Sequence, residues 1–356
     1  MRQFLGLALV VLLFGCGSPK ETEEAKTSLP EPIWVPQTTG STASLRGVSA
    51  VSDQVAWASG SGGTVLKTID GGTTWENVSI PDNEKIDFRD VEGFDENTAI
   101  VLSAGLPALI YKTVDGGTTW ERKYFSDAEG TFYDAMDFWN DQEGIAFGDA
   151  IDGRLLILKT SDGGETWNEL PFTQRPQAKD GQGGFAASGT CLRVNGDSHV
   201  YIGLGGEEAS LFYSSDKGET WNKTITPLQS GESTQGIFSI DFKNDLEGLM
   251  VGGDYRGDSL TRINAAYTTD GGASWFPMMA GMNPGGYRSG VAIFDKDLVL
   301  AVGRESCDFY RTGDNAYTPM EGQYYAVSVS KTGKSAWASG SGGRVATLAF
   351  KKESSQ

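Results

Sequence analysis

Four arginines carry the most ligand-binding chemistry in this 356-residue chain: Arg46 in LRGV, Arg89 in FRDV, Arg288 in YRSGV and Arg304 in VGRE. A guanidinium presents a planar fork of donors that pairs bidentately with carboxylates and phosphates. Brought together, the four would clamp a carboxylate, a phosphate or an acidic peptide. Tyr133, Tyr255 and Tyr324 occur in matching contexts, and Asp149 and Asp254 end apolar runs of the kind that Arg304 follows. Asp90 and Asp134 stand one step deeper. The competing reading is that each arginine pairs with a local carboxylate (Asp90, Asp134, Asp149, Asp254 or Glu305) and ties the fold together. Spacing leaves both readings open.

Other chemistry is scarce. The chain has 1 histidine and 3 cysteines, too few for a zinc site of ordinary type, and a Ser-His-Asp triad is implausible. His199 reads as an exposed turn residue in GDSHV. Neither a phosphate loop nor a dinucleotide glycine pattern leads from a strand into a helix, and GGDYRGDSL lacks the spacing of a calcium loop. No cofactor and no metal are expected. A formal net charge of −18 argues against nucleic acid and against non-specific attraction to an anionic bilayer.

The elements that must position these side chains are set by a repeat. TIDGGTTW at 68 returns as TVDGGTTW, TSDGGETW, SSDKGETW and TTDGGASW, with tryptophans Trp75, Trp120, Trp167, Trp221 and Trp275. A period of about 45 residues with strand-like sequence between the signals is that of a four-stranded propeller blade. Residues 287–320 keep the frame with a degraded turn, and residues 324–350 repeat the first unit, including WASGSGG. The fold expected is all-β, a seven-bladed propeller of antiparallel blades over residues 33–350. The last unit stops after its third strand, so the strand at 33–37 would complete it and close the ring. In each motif the aspartate (Asp70, Asp115, Asp162, Asp216 or Asp270) can accept hydrogen bonds from its own turn. The glycine supplies positive φ, and the tryptophan buries a ring between blades. These residues are read as structural.

Aligning the units sets Arg46, Arg89, Tyr133, Arg288 and Tyr324 or Tyr325 at the starts of first strands. Asp149, Asp254 with Tyr255, and Arg304 fall at the ends of second strands. All should converge on one mouth of the central channel. Two long connections, residues 171–185 and 252–264, belong to the same face, with Tyr255 and Arg256 as prominent contacts.

The N-terminus carries Arg2, a 12-residue apolar run at residues 4–15, then Cys16 after Leu13-Phe14-Gly15. This resembles a bacterial lipoprotein signal, which implies a lipid on Cys16 and a place in the cell envelope. The outer membrane is favoured because no Asp follows the cysteine. Residues 1–16 are thus a signal segment, 17–32 a flexible tether and 351–356 a tail. Cys191 and Cys307, far apart in the repeat, are expected to be free buried thiols.

The recurring S/T-x-D-x-G-x-T-W resembles the Asp-box, or bacterial neuraminidase repeat, and the chain is most similar to propellers of the photosystem II assembly-factor type. That resemblance implies a protein-binding or assembly role through an arginine-bearing face, to which Arg46, Arg89 and Arg288 would correspond by blade frame. The alternatives are a sialidase-like glycosidase, for which Tyr324 and Glu305 are the candidate nucleophile pair, a glycan-binding propeller, and an oxidoreductase without an identifiable redox site. The expected partner is a protein or acidic ligand at the mouth.

Overall fold

The computed structural model describes residues 30–257, 263–278, 282–295 and 297–351. Cys16, the signal segment, most of the tether and the tail beyond residue 351 lie outside the described residues. In blade one, Leu45–Ala50, Ala56–Gly60, Val65–Thr68 and Glu76–Asn77 pair antiparallel in that order. Six further four-stranded blades follow this plan. Blades four and five are joined at their inner edges, where Gly205 and Gly206 pair with Gly236 and Glu232, and where the short strand Gln182–Gly183 adds to the same edge.

Second strands such as Ala56–Gly60, Ala99–Ser103 and Leu298–Val302 are buried along their whole length. They read as continuous apolar runs because neighbouring blades cover both faces. Outermost strands such as Glu76–Asn77 are exposed. Ring closure joins the two ends of the chain: Pro32–Gln37 pairs with Val345–Phe350, Trp34 opposite Leu348, as the outer strand of blade seven. No outer edge is left unpaired by the truncated seventh unit.

The Asp-box turns are nearly superimposable in their bonding. Asp70 Oδ1 accepts from Thr74 N at 2.9 Å and from Thr68 Oγ1 at 2.9 Å, while Oδ2 accepts from Thr74 Oγ1 at 2.6 Å. Asp115, Asp162, Asp216 and Asp270 repeat this set. The bonds favour the ionised form, and hold Asp162 and Asp216 down to about 2. Gly72, at φ 84°, turns the chain beneath Trp337. The motif tryptophans pack toward the preceding blade: Trp75 meets Trp337 edge-on, and Trp120 donates to Val78 O at 2.9 Å. Trp167 joins Ile100 and Ile110 of blade two.

Inner strands leave backbone donors facing the channel, and side chains of the preceding blade satisfy them. Ser49 Oγ accepts from Gly93 N, Asp90 Oδ2 from Met136 N, Asp137 Oδ2 from Val194 N, Asp241 Oδ2 from Ile293 N and Ser328 Oγ from Ala50 N, all at 2.7–3.1 Å. The polar channel lining is therefore a ring of inter-blade clasps. Cys191 and Cys307 are buried free thiols, in blades four and six. His199 opens a strand, half-buried, with its ring parallel to that of Tyr201, rather than standing in an exposed turn.

Candidate functional site

The mouth is shaped by a β-bulge that recurs at the start of first strands. Pairing shifts between Leu45 and Gly47, Phe88 and Asp90, Tyr133 and Ala135, and Ile237 and Ser239. The extra residue is Arg46, Arg89, Asp134 or Phe238. A bulge re-aims its side chain, here toward the channel opening. In blade seven Tyr324 N donates to Gly303 O just as Leu45 N donates to Gly340 O, and in blade six Arg288 N donates to Gly252 O. Tyr324 and Arg288 therefore stand one residue before the bulge position, which Tyr325 and Ser289 occupy.

That one-residue offset corrects three expected site residues. Tyr133, Arg288 and Tyr324 share the inward frame of Leu45 and Phe88, and none of the five is more than 4% exposed. Arg288 reaches Asp308 through Nε at 2.7 Å and through Nη2, and adds Ser306 Oγ at 3.0 Å. It is a buried ion pair inside blade six, and the sequence alternative of a local carboxylate partner describes it. Tyr133 lies beneath Tyr124, hydroxyl to hydroxyl at 3.2 Å. Tyr324 packs edge-on against Trp34. Asp254 is also elsewhere: it accepts from Arg256 N at 2.9 Å and Gln235 Nε2 at 3.1 Å, shaping its own turn.

What remains converges on a cavity of about 440 Å³. Its walls include Arg46, Arg89, Arg304, Asp134, Asp149 and Tyr255. Its aromatic side extends beyond the expected Tyr255. Phe185 stacks on Phe238 with centroids 3.8 Å apart, and Tyr255 and Tyr287 meet Phe238 edge-on. Phe185 ends one long connection and Tyr255 begins the other, so both loops do reach the site. Aligning first-strand starts reaches Phe238 in IFSI as well, while Phe185 and Tyr287 carry no such mark.

The three arginines at the mouth differ in commitment. Arg89 Nε bonds Asp87 Oδ2 at 2.8 Å and Arg304 pairs with Glu305 at 3.2 Å. Arg46 lies over the Tyr325 ring, 4.4 Å from its centroid, and has no ion pair among the described residues. Burial, and then repulsion from Arg89, lower its pKa from the ordinary value. Asp134 and Asp149 face these cations from blade three. Asp149 Oδ1 accepts from Gly184 N at 2.9 Å. Asp134 is 1% exposed, and among the described residues its oxygens have no side-chain partner and no well-formed hydrogen bond, with the Ala186 backbone N–H facing them. Burial, and then Asp149, push its pKa well up; Arg89 opposes this from longer range. Among the described residues no cluster of three or more His, Cys, Asp or Glu is placed to hold a metal ion. Chemically, this cavity is suited to binding a charged, partly apolar segment: fixed cations, fixed acceptors and aromatic faces.

Fold and mouth together define an Asp-box propeller with a charged, aromatic cleft over its channel. Residues 27–128, under a third of the chain, match the family model described as "Photosynthesis system II assembly factor YCF48". Two solved structures share the architecture. "YCF48 bound to D1 peptide" is 16% identical, with TM-score 0.64, over 91% of this chain and 97% of that one. YCF48 from Cyanidioschyzon merolae is 17% identical, with TM-score 0.62, over 91% and 100%. No curated protein matches the chain.

Proposed function

We propose that this protein is a docking propeller of the bacterial cell envelope, held at a membrane by lipid on Cys16, whose channel mouth binds a segment of a protein partner. The observation that carries the reading is Arg46: a half-buried guanidinium, seated on an aromatic ring and free of ion pairs among the described residues, at the wall of a cavity of about 440 Å³. Desolvating an uncommitted cation has a cost that an incoming acidic group would offset, and such Arg–Tyr pairs are typical binding anchors. A propeller of the same architecture is known as a peptide complex, which supports a peptide segment as the ligand.

The glycosidase alternative has less support. Its candidate nucleophile Tyr324 is packed on Trp34, and Glu305 is paired with Arg304. The test is crosslinked affinity purification of the lipidated protein from its own membranes, wild type beside an Arg46→Ala/Arg89→Ala double variant. A partner enriched by wild type and lost from the variant is expected. Equal recovery by both would place the interaction elsewhere.

A further inference from the structure

The bulge residues of consecutive blades change sign. Arg46 and Arg89 fill the position in blades one and two, and Asp134 fills it in blade three. Three equivalent backbone positions therefore aim two cations and then a carboxylate at one cavity. The carboxylate is the anomaly. A buried polar group without a partner costs roughly 1–3 kcal/mol, more when charged, and Asp134 has both oxygens buried with no well-formed hydrogen bond among the described residues, only the Ala186 backbone N–H beside them.

The cover over that carboxyl includes glycine backbone. Gly183 and Gly184 run across the two acids. A Cβ on Gly184 would sit 2.5 Å from Asp134 Oδ2, and one on Gly183 would sit 2.8 Å from Asp149 Oδ1. Only backbone without side chains fits there. Of Asp149, one oxygen is taken by Gly184 N. Arg89, the cation that faces Asp134 from blade two, is bonded to Asp87 instead.

Resting on the docking reading, we propose that the mouth reads charge of both signs. Arg46 and Arg89 take an acidic side chain of the partner segment, and Asp134 with Asp149 takes the basic side chain of a nearby residue in the same segment. A lysine or arginine head would supply the donors that Asp134 lacks, and the aromatic cluster of Phe185, Phe238 and Tyr255 would hold the intervening apolar portion. Placing cations and carboxyl acceptors side by side makes selection depend on mismatch as well as match: a purely acidic segment would bring no donor to the carboxyls of blade three.

The experiment is selection of a displayed random dodecapeptide library on detergent-solubilised full-length protein, comparing wild type, Asp134→Asn, Asp149→Asn and Arg46→Ala/Arg89→Ala. Each variant is first checked for wild-type circular dichroism and melting. Wild type is expected to enrich peptides carrying Asp or Glu within a few residues of Lys or Arg. Asp134→Asn should keep the acidic preference and lose the basic one, and should weaken a synthetic consensus peptide about tenfold by calorimetry. Asp149→Asn, at a more accessible position, provides the same readout should Asp134→Asn unfold. Acid-only peptides from wild type, or a basic preference that survives both substitutions, would overturn this proposal while leaving docking intact. Peptides enriched equally by wild type and the arginine double variant, or none enriched at all, would overturn the docking reading and this one with it.

Discussion

The two ends of the central channel are built from the same seven inner strands and use polar side chains in opposite ways. At the far end, Asp137, Asp241 and Ser328 are committed to backbone N–H groups of the next blade. Arg193 is committed as well, to Asp241 at 3.0 Å. At the mouth, Arg46 rests on the Tyr325 ring without an ion pair, and Asp134 has no side-chain partner among the described residues. The far end holds a smaller cavity of about 220 Å³, where these side chains already hold blades together and Glu92 is left without an ion pair among the described residues. A charged channel residue therefore signals binding only when its bonds are not already made.

The contrast is sharpest between two arginines that the repeat treats as equivalents. Arg288→Ala would strand the buried Asp308 carboxylate, and loss of about 3–5 kcal/mol of stability is expected by urea unfolding. Arg46→Ala should cost about 1 kcal/mol there, the worth of a half-buried cation–π contact. A similar loss for both would erase the distinction between committed and free charge.

Within the far end, Asp241→Ala removes the acceptor of Ile293 N and the partner of Arg193. We expect a loss of about 2–3 kcal/mol, with no change in partner capture at the mouth. Partner binding that fell with Asp241→Ala would mean the two ends act as one site.

At the mouth, Arg46→Ala should weaken partner binding by about 1–2 kcal/mol at nearly unchanged melting temperature, read by calorimetry with a captured partner or consensus peptide.

The smallest effect concerns Glu92, which lines the far cavity without an ion pair among the described residues. Burial, and then Asp137, raise its pKa from 4.5 to about 7. A carboxyl raised in the folded state binds its proton more tightly there than when unfolded. Its contribution to stability is therefore full below pH 4.5 and declines as the pH climbs to about 7. Glu92→Gln should flatten the stability profile across that window by roughly 1 kcal/mol, since water in the channel screens the charge. An unchanged slope would show that Glu92 ionises normally.

Much of this protein was determined by its sequence alone. The recurring S/T-x-D-x-G-x-T-W specifies five blades and the degraded units at 287–320 and 324–350 two more, because each motif residue acts within its own turn: a hydroxyl and a carboxylate that bond locally, a glycine with positive φ, and a ring for the neighbouring groove. Ring closure by the strand around Trp34 follows from counting strands, and the mouth follows from where first strands begin. Only the tertiary structure decided which residue of LRGV, FRDV, FYDAM, YRSG and QYYAV points into the mouth. A β-bulge adds one residue with no mark in composition, and side chains alternate faces with period two. A one-residue offset therefore exchanged Arg288 for Ser289, Tyr324 for Tyr325 and Tyr133 for Asp134. Of the aromatic cluster, Tyr255 and Phe238 were legible from the blade frame, while Phe185 and Tyr287 were not. Those two lie on the connections that enter blades four and six, on either side of blade five, and only the packing of neighbouring blades brings them to one opening.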